Sequence, residues 1–486
     1  MKATYIDYKE THSFSDGIIR YLENDPKLNP FISYHPDIQG FSQLLASKKQ
    51  HSNREILTEV FKEQYSGLDY PVHTNVIENI DLLLQENTYT VCTGHQLNLF
   101  TGPLYFIFKI VTAINLSKEL KSNFPDRNFV PVYWMATEDH DFAEINHTYI
   151  SGKKITWDLE TAGATGRLSI DGIEKTIKEY LGVLGISEQA IELSQLINDA
   201  YTKNKNLADA SRQLVNSLFE IYGLLILNAD DRRLKKQFSQ IIASDIIEQN
   251  SLRTITDTNI KLAEQGIEAQ VNPREINFFY LLDDLRERIV VENGFYQVLN
   301  TTIRFNEEEL LKEIGDFPER FSPNVVMRPL YQEVILPNLA YIGGGAEIIY
   351  WLQLKQSFDY YKLDFPILLL RNSAMLASFK LENKINRLDL SIEDIFKKTE
   401  ELKKGWVINH SESRLDLIEE KQKFHDIFGK LKTRSTKIDP SLGPSTEAIE
   451  ARLLRALKNL EAKLIKAEKR NFTDALSQID GIKAGL

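Results

Sequence analysis

VCTGHQLNLFTGP, residues 91–103, joins a short apolar strand to a long helical pattern, and the reading of this run decides the fold. Residues 89–93 are β-prone and bounded by Gly94, while Gly102 and Pro103 open a helix over 104–124, because proline suits the first helical position. The run is therefore a strand-to-helix crossing. In a doubly wound α/β sheet such crossings lie at the carboxyl ends of strands, where ligands meet free backbone N–H groups and the positive end of a helix dipole. Thr93, Gly94, His95, Gln96, Thr101 and Gly102 are the candidate binding residues here, set against the plainer reading of a glycine turn capped by its own side chains. Cys92 precedes the loop inside the strand. A buried strand supplies neither exposure nor a lowered pKa, so Cys92 reads as packing rather than as a nucleophile.

The chain on either side supports this placement. Leu104, Ile107, Val111, Ile114 and Leu120 recur at helical spacing and predict a core stripe. FVPVYWMA at 129–136 is a second apolar run of strand length, as expected for a parallel strand covered on both faces. It ends in Glu138, Asp139, His140 and Asp141, with Asn146 just beyond. Titratable side chains at a strand's carboxyl end suit a general acid or base, or the binding of an amine, and Asp139, His140 and Asp141 are the candidates for catalysis. A solvated turn would have the same composition. Carboxylates and imidazoles also ligate metals, but no HExxH-like spacing fixes a geometry, so no metal is expected.

Further strands are predicted at 223–228, 338–343 and 366–370, with a helix at 346–361, and this alternation points to a parallel α/β layer. Gly343, Gly344 and Gly345 precede that helix and allow a close backbone approach to a ligand. Glu347 falls in its first turn, where it either complements the helix dipole or binds an ammonium. Arg328 and Arg371 offer the bidentate grip that carboxylates and phosphates favour.

Residues 1–88 read as a helical lead-in packing on the core, which spans 89–372. Two insertions interrupt the core, at about 148–208 and 266–329. The first carries short strands at 154–159 and 166–170 and a helix at 187–200 with Ser187 as N-cap; the second is rich in β-prone residues. From 373 to 486 the chain is helical and charged, broken once by IDPSLGPST at 438–446. Ile449, Leu453, Leu457, Leu460, Leu464 and Ala467 make a near-heptad seam, which asks for a partner helix within the chain or across a dimer.

With 486 residues, 42% of them hydrophobic and 26% charged, the chain has the composition of a folded protein of more than one domain. Its single cysteine excludes an internal disulfide framework and a zinc site built from several thiolates. A net charge of −11 argues against a nucleic-acid partner. No apolar run reaches the roughly 20 residues of a membrane span, and no secretory pattern opens the chain, so a cytoplasmic protein with no membrane partner is expected.

TGHQLNLFTGPLYFIFKI, PVYWMATEDHDFAEINH, RPLYQ and YIGGGAEIIYWLQLK, in that order and followed by a helical hairpin, resemble the cysteine-adding enzymes of bacillithiol biosynthesis, the BshC family. The resemblance implies a Rossmann-like core of the class I aminoacyl-tRNA-synthetase type with two connecting insertions. It also implies a C-terminal coiled coil that forms a homodimer. The implied reaction is a ligation in which cysteine joins through its carboxyl group to the amine of glucosaminyl malate. A carboxylate needs activation before it condenses with an amine, so ATP or another nucleotide is expected. RNSA at 371–374 stands where a lysine-rich KMSKS-like loop would mark the synthetase route. The resemblance carries Thr93, Gly94, Gln96, Thr101, Gly102, Pro103, Glu138, Asp139, His140, Asp141, Asn146, Arg328, Gly344 and Glu347 over as site residues. Two rival functions fit the residues alone: a metal-dependent hydrolase or nucleotidyltransferase using the EDHD cluster, and a coiled-coil scaffold with a ligand-binding Rossmann layer.

Overall fold

Five apolar runs form one parallel sheet in the computed structural model, which describes residues 3–49, 52–68 and 70–485. They are β1 (Thr88–His95), β2 (Asn128–Met135), β3 (Leu225–Asn228), β4 (Asn338–Gly343) and β5 (Ile367–Leu370), in the order β5-β4-β1-β2-β3. Each neighbouring pair is parallel. Side chains are buried on both faces, which is why the strands read as continuous apolar runs rather than as alternating ones. The chain builds outward from β1 to β3 and then returns to set β4 on the other side of β1. That reversal makes the β1–β4 boundary the topological switch point, where the carboxyl ends open a crevice for ligands.

Helix α1 (Tyr105–Asn123) leaves the β1 loop and packs on two cores at once. Its buried face is therefore wider than the single stripe expected from sequence: Leu104 is exposed, whereas Phe106, Ile110, Ala113, Ile114, Leu116 and Leu120 are buried. The helix expected at 346–361 is two helices, α3 (Gly345–Gln353) and a second at Lys355–Tyr360, preceded by α2 (Arg328–Ile335). The break comes where Leu354 N–H donates to Trp351 C=O in a tightened last turn.

In the first insertion Lys153–Thr156 pairs with His147–Ile150 as a hairpin, and helix Glu188–Lys203 starts at Ser187, whose Oγ accepts from Ala190 N–H at 3.2 Å. The strand expected at 166–170 is absent. Thr165–Arg167 is instead a single 3-10 turn, because Thr165 N–H donates to Asp139 C=O at 2.7 Å and Gly166 N–H to Thr137 C=O at 2.8 Å. The end of the segment makes only an isolated antiparallel bridge, Ser169 opposite Asn206, and its start bonds to the loop after β2. Gly166 is required there, since a Cβ would stand 2.6 Å from that of Thr137. The second insertion forms a five-stranded antiparallel sheet that includes Phe278–Leu282, Leu285–Glu292 and Phe321–Pro323.

Packing divides the chain into two units, one from Ser15 to Ser373 and one holding the residues up to Phe14 together with Ala374 onward. The opening residues thus depart from the rest of the lead-in, because the turn Tyr8–Thr11 lies against Glu393–Phe396. In the second unit Leu381, Ile385, Leu402, Val407, Ile479 and Ile482 form a small core. From it extends a hairpin of α4 (Ile418–Ile438) and α5 (Leu442–Glu468). Ile449, Leu453, Leu460 and Leu464 of the near-heptad seam are exposed on this hairpin rather than packed within it.

Candidate functional site

β1 runs two residues further than sequence suggested, because Gly94 and His95 pair with Trp134 and Met135 of β2. The loop proper starts at Gln96. It closes in a tight turn in which Phe100, Thr101 and Gly102 have φ of 52°, 75° and 63°. Glycine is demanded at 102 twice over, by its left-handed backbone and by Asn98, whose Cβ would lie 2.5 Å from an added one. Tyr201 steadies the turn by accepting from Phe100 N–H at 3.2 Å. Thr93 lies within the sheet, its Oγ1 donating to Ile342 C=O at 2.9 Å, and so braces β1 on β4.

The centre of the crevice is a residue that sequence reading missed. Lys109 of α1 is 3% exposed; its Nζ donates to Gly94 C=O at 2.9 Å and pairs with Glu347 Oε2 at 2.5 Å. A lone lysine in the apolar run LYFIFKIV was the available signal. Glu347, in the first turn of α3, also accepts from Gly344 N–H at 2.8 Å and from the Tyr341 hydroxyl at 2.9 Å. Burial pushes the Glu347 carboxyl up, but Lys109 and these donors outweigh it and hold the group below its ordinary value. Arg328, at the start of α2, lies 5.5 Å over the Tyr341 ring and 5.6 Å over that of Trp134. A Cβ on Gly94 would stand 3.4 Å from the Tyr341 hydroxyl and 3.6 Å from Arg328 Nη1, so the bare backbone of Gly94 faces this group. Arg371, following β5, sits 5.2 Å over the Tyr105 ring, and its N–H donates to Gly343 C=O at 2.8 Å. Its Nη1 donates to Asn372 C=O and Ser373 Oγ. Three cations thus gather around one carboxylate at the switch point, which suits the site to anions.

His95 is adjacent but electrically quiet. Burial and then the nearby Lys109 push its imidazole down to about 3, and its ring packs on Tyr105 and Phe106 at centroid distances of 5.5 and 5.3 Å. It is neutral at physiological pH and has the surroundings of a packed aromatic, not of a proton carrier.

A second group forms at the end of β2. Gln96 Nε2 donates to Asp139 Oδ2 and to Glu144 Oε2, each at 2.7 Å, and so ties the β1 loop to the β2 loop. Asp139 Oδ1 accepts from His140 N–H at 2.8 Å. Burial raises the Asp139 carboxyl, yet His140, Gln96 and Arg286 together hold it well below the usual carboxylate range. Arg286, from the second insertion, places Nη1 2.7 Å from His140 Nδ1 and its guanidinium 3.9 Å over Phe279. Asp141 accepts from Glu144 N–H at 3.3 Å and is otherwise exposed, and Asn146 Oδ1 lies 3.1 Å from His147 Nδ1. Glu138 turns away from this group. Its Oε2 accepts from the fully buried Lys235 Nζ at 2.7 Å, and that lysine also donates to Phe321 C=O at 2.9 Å, which makes the pair a brace between the β2 loop and the second insertion. Among the described residues no group of three or more His, Cys, Asp or Glu side chains is placed to hold a metal ion.

Residues 1–372 match the family model described as bacillithiol biosynthesis BshC, N-terminal Rossmann-like domain, and residues 374–486 match that of the BshC C-terminal coiled-coil domain. The chain is 46% identical to a Flavobacterium psychrophilum protein named "Putative cysteine ligase BshC", over 100% of this chain and 92% of that one. A protein of the same name from Flavobacterium johnsoniae is 44% identical over 100% and 92%. One from Bacillus cytotoxicus is 30% identical over 99% and 92%.

Proposed function

Since the chain belongs to the BshC family of bacillithiol biosynthesis, we propose that it is a ligase joining cysteine, through its carboxyl group, to the amine of glucosaminyl malate. The observation that carries this reading is the pairing of two unlike centres across one loop. Lys109, Arg328 and Arg371 offset a single carboxylate at the switch point, and an ionised Asp139 lies beyond Gln96. A ligation of this kind needs both: a cationic cradle for carboxylate or phosphate oxygens, and an anionic contact for an amine.

The cradle of Gly94, Lys109 and Arg371 fits the phosphates of ATP or another nucleotide, which would supply the activation of the cysteine carboxyl group. Arg328 meets a malate carboxylate. Asp139 is held too acidic to act as an effective base and instead orients the amine in its ammonium form, while the exposed carboxylates of Asp141 and Glu144 receive the proton as the amide forms. The exposed seam of Ile449, Leu453, Leu460 and Leu464 supports a homodimer through the coiled coil. We place the protein in the cytoplasm; no helix among the described residues is long and apolar enough to cross a membrane.

The test is a product assay. Purified protein incubated with cysteine, glucosaminyl malate and ATP should yield bacillithiol by mass spectrometry, and a wild-type protein that yields none under any nucleotide condition refutes the ligase reading for this chain acting alone.

A further inference from the structure

The RPLYQE segment, residues 328–333, holds two side chains with no place in the chemistry above. Gln332 is fully buried and Glu333 is 4% exposed. Gln332 Nε2 donates to Glu333 Oε1 at 2.8 Å, and Asn338 Nδ2 donates to the same oxygen at 2.7 Å. Asn338 in turn accepts from Thr90 Oγ1 at 3.2 Å, which anchors the arrangement on β1 and β4. A carboxylate that takes up the amide nitrogen of Gln332 leaves the amide oxygen only one direction. That oxygen accepts from Arg328 Nη1 at 2.9 Å, one helical turn away on α2. Arg328 Nη2 is buried with no acceptor in hydrogen-bonding geometry among the described residues, although the Tyr350 hydroxyl also interacts with the guanidinium.

A buried guanidinium nitrogen without an acceptor in good geometry, on a side chain held over two aromatic rings at a crevice, has a donor left to offer an anionic oxygen. Were the Gln332 amide reversed, it would present a donor to a donor and push Arg328 from this position. Glu333 prevents the reversal.

We propose that Gln332 and Glu333 are a buried positioning pair that presents Arg328 to a carboxylate of the amine-bearing substrate. The proposal rests on the ligase reading for the identity of that substrate. Neither residue touches it; both act through Arg328. A purely structural role for the pair would alter stability and leave substrate affinity alone, whereas a positioning role separates the two substrates and splits KM from kcat.

The experiment uses the full chain and two readouts: calorimetric binding of glucosaminyl malate, which needs no turnover, and steady-state kinetics with each substrate varied. Q332M keeps the volume and removes the acceptor; Q332E, a second variant in case the first fails to fold, neutralises Arg328 instead. Either should weaken glucosaminyl malate binding and raise its KM by about tenfold, the effect of one charged hydrogen bond, with kcat and the KM for cysteine little changed. E333Q keeps an oxygen for both amides and should bind as the wild type does. Wild-type affinity in a folded Q332M or Q332E overturns the proposal, and so does a loss in E333Q equal to theirs. A wild type that binds glucosaminyl malate but makes no product contradicts the ligase reading and leaves the pair to be judged by binding. A wild type that does not bind it overturns both.

Discussion

Lys109→Met is the sharpest probe of how the crevice is held together. The substitution preserves the apolar stem and removes the ammonium that pairs with Glu347 at 2.5 Å and donates to Gly94 C=O at 2.9 Å. Breaking a buried pair by deleting one partner costs about 3–5 kcal/mol, because the remaining charge is left uncompensated. Glu347 keeps Gly344 N–H and the Tyr341 hydroxyl, and its side chain is 24% exposed, so the low end, about 3 kcal/mol, is expected. The pH dependence follows from the direction of the Glu347 shift. Its folded pKa lies below the ordinary 4.5, so the stability it contributes is present above that pH and is lost as pH falls through the folded value. Without Lys109 the carboxyl rises and takes up a proton, so the cost of the substitution is greatest near neutrality and shrinks in acid. Urea unfolding followed by tryptophan fluorescence reads it, since Trp134, Trp157 and Trp351 all lie in the unit that carries the site. K109M/E347Q should recover a large part of the loss. A double variant as unstable as K109M, or a loss that does not vary with pH, would refute the ion-pair account.

Gly94→Ala should fold almost normally, because its Cβ meets neighbours only at 3.4 Å and beyond, yet it occupies space beside Arg328; thermal melting should be within a few degrees of wild type while turnover falls at least tenfold. Gln96→Leu deletes a donor that helps to depress Asp139, so the Asp139 carboxyl should titrate at higher pH than in the wild type, read by ¹³C NMR of the labelled carboxyl group. Burial, opposed by Lys48 and assisted by Asp364, pushes Glu333 up to about 7 from 4.5; a raised carboxyl makes stability fall as pH rises through that window, by roughly 3 kcal/mol, and E333Q should flatten the slope in urea titrations between those limits. Leu453→Asp with Leu460→Asp should abolish the proposed homodimer in analytical ultracentrifugation without unfolding the hairpin, because both side chains are exposed in the single chain.

The parallel sheet was legible because its strands are buried on both faces and separated by helices, so their apolar runs stand out without alignment. The apolar run at 338–343 coincides with β4 from end to end. Less of the site could be read, and for a consistent reason: the groups that define it are brought together from distant elements. Lys109 is an ordinary lysine until α1 folds back over β1, and Arg286 approaches His140 across 146 residues of chain. Glu138 looked like its neighbours in EDHD, but a strand-end loop points successive side chains in different directions, and Lys235 claims this one. The missing strand at 166–170 has the same origin, since β-propensity reports a preference for a half-buried ladder, whereas the loop after β2 takes the Gly166 N–H and the rest of the run finds only a single bridge at Ser169 and Asn206. The left-handed backbone at Phe100 and Thr101 carried no residue signal at all, because only Gly102 advertises such a turn.

The most direct measurement follows oxygen from the cysteine carboxyl group. Cysteine labelled with ¹⁸O in both carboxyl oxygens is incubated with the protein, glucosaminyl malate and ATP, and the products are weighed by mass spectrometry. If the crevice activates that carboxyl group before the amine attacks, one labelled oxygen stays in the amide of bacillithiol and the other appears in AMP or inorganic phosphate. Bacillithiol formed with no label in AMP or inorganic phosphate, or no bacillithiol at all, would contradict the account.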